Sequence, residues 1–114
     1  MEEKLIKLKN WGCDIQGAMD RFLNDGDLYF ECLIMFVNDE NFKLLKMHIN
    51  DNDQRVPFTY VHTLKGVAGN LGLSPLFDSL SDLCEALRGS DYNPNSGLYE
   101  RTLVDYNVFL EIMK

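Results

Sequence analysis

His62-Thr63-Leu64-Lys65-Gly66-Val67-Ala68-Gly69-Asn70-Leu71-Gly72 is the stretch on which the reading of this chain rests. It sets a histidine and a lysine one helical turn apart and spaces Gly66, Gly69 and Gly72 at intervals of three. Glycine inside a helix costs about 1 kcal/mol relative to alanine, so glycines this close together call for a reason other than helix formation. At about 100° per residue, Val61, Leu64, Val67, Ala68 and Leu71 gather on one arc, as a buried helical face does. His62 points about 160° from the centre of that arc, Gly66 and Gly69 fall within about 40° of His62, and Lys65 lies about 60° away on the same outer side. The expectation is a helix that shows an imidazole to solvent beside bare backbone, with an ammonium at its edge.

That arrangement suits a histidine that exchanges a phosphoryl group with another macromolecule. A neutral imidazole is a competent nucleophile near neutral pH. Lys65 would offset the charge of about −1.5 to −2 that a phosphoryl group brings. Gly66, at i+4, leaves the side of the ring open to a bulky reactant. Phosphoryl transfer needs mainly positioning and charge stabilisation, so few groups are required where the partner brings the metal.

The segment resembles the signature of histidine-containing phosphotransfer (HPt) domains, roughly His-x-x-Lys-Gly-x-x-x-x-x-Gly. His62, Lys65, Gly66 and Gly72 meet it, and Gly69 and Leu71 fit. Upstream, Gly12-Cys13-Asp14-Ile15 with Ala18, Arg21, Asp27, Tyr29 and Phe36 is similar to the family's N-terminal half, so the likeness covers about residues 10–90. It implies a phosphorelay intermediate of two-component signalling. His62 would accept a phosphoryl group from a receiver-domain aspartate, and Lys65 would stabilise its charge. Gly66 and Gly69 would give clearance, and Mg²⁺ would sit on the partner receiver rather than on this chain. The implied partners are response-regulator receivers and a hybrid sensor histidine kinase, with the chain itself a monomer. Ile15, Phe58 and Leu73 are candidates for the docking patch. One departure concerns the following helix, where the family often carries a polar side chain and this chain has Cys84, with Glu85 one place later.

At 114 residues and 46% hydrophobic content the chain fits a single domain, residues 1–114, with a real core. A net charge of −7 argues against nucleic acid or an anionic membrane as partner. The longest clear apolar run, Leu33 to Val37, is far short of a span of about 20 residues, and the N-terminus has no apolar signal core. Cys13, Cys32 and Cys84 are far apart and without zinc-like spacing, which reads as reduced, partly buried thiols of a cytoplasmic protein. The starting methionine mildly favours a free-standing protein over a piece of a hybrid kinase, and the short C-terminus leaves both open.

The pattern is all-helical. A short helix over 1–9 is followed by one capped by Asp14 that runs to Phe22 and Leu23, then a turn at Asn24-Asp25-Gly26. Asp27 opens an apolar helix with Leu28, Cys32, Leu33, Phe36 and Val37, and a cap near Asn38-Asp39 introduces another with Phe42, Leu45 and Ile49 on one face. The histidine helix begins between Asp53 and Pro57. Ser74-Pro75 reads as a cap with proline at the first position, followed by a Leu76, Leu80, Leu83, Leu87 stripe that ends near Gly89. A last helix places Tyr99, Leu103, Tyr106, Leu110 and Met113 inward. Four long helices with short connections imply an antiparallel four-helix bundle with additional short N-terminal helices.

Other functions fit less well. His48 lacks ligands at metal spacing, and the glycines lack the order of a nucleotide loop, so neither an intrinsic metal nor intrinsic kinase activity is expected. The His-Glu/Asp-x-x-x-Pro pattern of sensor-kinase dimerisation domains is absent around His62. The rival is a helical adaptor that docks a receiver or sensor kinase without carrying phosphate.

Overall fold

The computed structural model describes residues 2–89 and 91–114. These form seven helices: α1 Glu2–Trp11, α2 Ile15–Arg21, α3 Gly26–Val37, α4 Asn41–His48, α5 Arg55–Asn70, α6 Ser74–Arg88 and α7 Leu98–Met113. The protein is all-α, with no strand among the described residues. No helix among them is long and apolar enough to cross a membrane. Helix α5 packs between α4 and α6, α6 packs on α7, and α7 also contacts α1 and α3.

Local chemistry sets the boundaries. The Asp14 carboxylate accepts from the Gly17 amide and starts α2, as expected. Asp25, rather than Asp27, caps α3 through the Leu28 amide, because Leu23 and Asn24 have already turned the chain in left-handed conformations. At α6 the proline register shifts by one. Leu73 is the flanking residue, Ser74 the first helical residue and Pro75 the second, so Ser74 is not the cap. Proline is tolerated there because a first-turn amide has no helical partner in any case.

The core is continuous from Leu8 through Leu33, Phe36, Leu45, Val61, Leu64, Leu80 and Phe109. The leucine stripe of α6 is buried as expected, joined by Ser79 and Cys84. Helix α7 departs from expectation. Its buried residues are Thr102 and Phe109, while Tyr99, Leu103, Tyr106, Leu110 and Met113 are only partly covered. Thr102 can be buried because its hydroxyl donates to the Leu98 carbonyl at 2.9 Å. The Phe42 and Tyr106 rings stack at 3.6 Å and join α4 to α7.

Candidate functional site

Helix α5 carries the site. Val61, Leu64 and Ala68 are buried on its inner face, which leaves His62 exposed on the outer one. Between Arg55 and Asn70 the helix has no acidic residue, in a chain of net charge −7. Thr59 and Thr63 flank the histidine, and their hydroxyls turn back to the Arg55 and Thr59 carbonyls at 2.9 and 3.1 Å.

The glycines divide into different roles. A β-carbon at Gly66 would meet nothing within 4 Å, so the backbone one turn beyond His62 is open. At Gly69 a β-carbon would lie 3.1 Å from the Phe77 ring. Gly69 is therefore not the clearance that the helical wheel suggests; a ring from α6 already fills that space. Phe77 in turn lies under Lys65, whose Nζ is 5.9 Å from the ring centroid. Gly69 admits Phe77, and Phe77 supports the ammonium.

Gly72 ends the helix at φ 71°. The Leu73 amide reaches the Ala68 carbonyl at 3.0 Å and the Gly72 amide reaches Gly69 at 3.1 Å, the paired bonds of a Schellman terminus. The N-terminal segment closes over it. The Asp14 amide donates to Gly72 O at 2.8 Å. Arg21 donates to the Gly69 and Asn70 carbonyls at 2.9 and 3.0 Å. Tyr29 donates its hydroxyl to Leu71 O at 2.7 Å. Burial pushes the Tyr29 hydroxyl well above its usual range, and pushes the nearby Cys13 thiol up to about 12.

Comparison of the chain with family models, curated proteins and solved structures finds no match.

Around His62, α6 contributes more than the sequence suggested. The Phe58 ring lies 5.7 Å from the imidazole, tilted by 34°. The Arg88 guanidinium sits 5.2 Å from the Phe58 centroid and bonds Glu85 at 3.2 Å. Phe77 and Arg88 were not picked out from the sequence, yet a signal existed. Gly69 and Phe77, and again Phe58 and Arg88, lie equal distances either side of Leu73, as an antiparallel hairpin requires. By the same register Cys84 is level with His62, but it is wholly buried. Burial raises its thiol pKa, opposed by Lys65 and Arg88. Of the docking candidates, Ile15 and Phe58 are half-buried, whereas Leu73 is fully buried and offers no surface. His48, the last residue of α4, pairs with Asp51 at 2.8 Å.

Proposed function

We propose that this protein is an HPt-like phosphorelay intermediate in which His62 carries the phosphoryl group. The observation that carries the reading is an exposed imidazole beside a glycine with open space above it, on the helix that also bears Lys65. An unprotonated ring nitrogen of His62 attacks the phosphorus of a receiver aspartyl phosphate. A P–N bond forms, the P–O bond to the aspartyl carboxylate breaks, and the carboxylate leaves with the electron pair. The reverse step passes the group to a second receiver. Lys65 offsets charge on the phosphoryl oxygens, Gly66 admits the incoming loop, and the receiver supplies Mg²⁺. A hybrid sensor kinase upstream and a cytoplasmic location, with the thiols of Cys13, Cys32 and Cys84 unpaired, belong to the same proposal.

The fold proposed with it is a four-helix antiparallel bundle of α4 to α7, with α1 to α3 as additions. One feature supports it: the stacked Phe42 and Tyr106 rings, which join the first and last of these helices. The test is incubation with a phosphorylated receiver. Acid-labile label appears on the wild type and not on His62→Gln. Label on neither, with the receiver still bound, favours the adaptor.

A further inference from the structure

We propose that Phe58 is a positioning residue, and that with Arg88 packed on its ring it aims the His62 imidazole. The inference rests on the phosphorelay reading for its functional arm and on geometry alone for its structural one. Four side chains lie in series: Glu85 holds Arg88 at 3.2 Å, Arg88 lies 5.2 Å from the Phe58 centroid, and Phe58 lies 5.7 Å from the His62 centroid. The ring separation is within the range in which aromatic pairs attract, and the guanidinium is within reach of the ring quadrupole.

An exposed histidine on a helix has free rotamers unless something holds it. Cys84, level with it across the hairpin, is buried and carries a thiol that burial keeps protonated, so it does not supply a strong acceptor. Phe58, one turn before His62, is in position to restrict the ring. Phe58 itself lines a cleft of about 580 Å³ together with Arg55, Leu87 and Arg88. Its inner side packs against the core, and on the cleft side the Arg88 guanidinium lies over its ring. Glu85, one place beyond the position where the family often has a polar group, then acts on the site through Arg88 rather than by touching the imidazole.

The experiment uses the full chain and compares wild type with Phe58→Leu, Phe58→Tyr and Arg88→Gln. NMR of the His62 ring protons is the structural readout. We expect Phe58→Leu to move those resonances toward the values of a free imidazole, Arg88→Gln to move them part of the way, and Phe58→Tyr to leave them in place. With a phosphorylated receiver, Phe58→Leu and Arg88→Gln lower the maximal transfer rate on the order of 10-fold with the half-saturating receiver concentration unchanged, and Phe58→Tyr restores it. His62 resonances identical in wild type and Phe58→Leu overturn the proposal. So does a raised half-saturation at unchanged maximal rate, which makes Phe58 a docking contact. Arg88 is exposed, so its variant folds even where Phe58→Leu does not. A wild type that takes no phosphoryl group sinks the phosphorelay reading, while the NMR arm still decides the positioning.

Discussion

The two halves of the His62–Gly72 segment are built to opposite ends. Its first half is left open. His62 is exposed, Gly66 faces empty space, and the neighbouring threonines turn their hydroxyls to their own backbone. Its second half is sealed. Asp14, Arg21 and Tyr29 converge on the carbonyls of residues 69–72, and Gly72 fits under the Asp14 carbonyl with no room for a side chain. Glycine serves both halves, by leaving space unfilled in one and by allowing backbone to touch backbone in the other. Gly66 and Gly72, identical residues six apart, therefore predict opposite responses to the same substitution.

The strongest way to break this contrast is Gly72→Ala. The left-handed φ alone costs roughly 1–2 kcal/mol for a residue with a β-carbon, and the collision with the Asp14 carbonyl adds to it. We expect a loss of at least about 3 kcal/mol in urea unfolding. A variant as stable as wild type would mean that the end of α5 is not sealed. Tyr29→Phe is the next test. It leaves the buried Leu71 carbonyl without its 2.7 Å donor, an expected cost of about 1–3 kcal/mol by the same measurement.

Much of the sealed half was legible as a pattern and little of it as a mechanism. Asp14, Arg21 and Tyr29 could be matched to a family pattern, but their sequence separation from Gly72 hides that each supplies a donor to one helix end. The outward aim of His62 was legible because one helix decides it: the apolar arc fixes the other side. Gly69 was misplaced for the converse reason. A single-helix wheel holds no information about Phe77, which occupies the space on the neighbouring helix. Thr102 escaped notice because hydrophobic patterning cannot foresee a hydroxyl satisfied by its own helix.

The sealed half also predicts a pH dependence. Cys13 and Tyr29 hold their protons more tightly folded than unfolded, because burial penalises the charged forms. Raised acid pKa values give stability that is complete below the unfolded pKa and lost as pH climbs toward the folded one. For Cys13 that window runs from 9.0 to about 12. Denaturation midpoints should hold from neutral pH to about pH 9 and then fall, each group contributing a slope of at most about 1.4 kcal/mol per pH unit. Cys13→Ala should flatten part of that slope while leaving the open half unaffected. An unchanged slope in the variant would place the alkaline sensitivity elsewhere.

The finest discrimination is between Gly66→Ala and Gly69→Ala. At Gly66 the added methyl meets nothing, so the helix gains intrinsic propensity and stability rises by about 0.5–1 kcal/mol. At Gly69 the same gain is offset because the Phe77 ring must shift from a 3.1 Å contact, and the net change should be smaller than at Gly66 or reversed in sign. The functional effects should run differently. Gly66→Ala puts a methyl into the open space one turn beyond the imidazole and slows transfer by crowding the approach, despite the more stable fold. Gly69→Ala leaves the approach clear and acts only through Phe77 on the placement of Lys65. Phe77→Leu should then relieve the stability cost of Gly69→Ala without restoring the seat of the ammonium. Thermal melts and transfer rates on the three variants separate these effects. Stabilisation at both glycines alike would show that Phe77 gives way freely, and unchanged transfer in Gly69→Ala would show that the ring does not support Lys65.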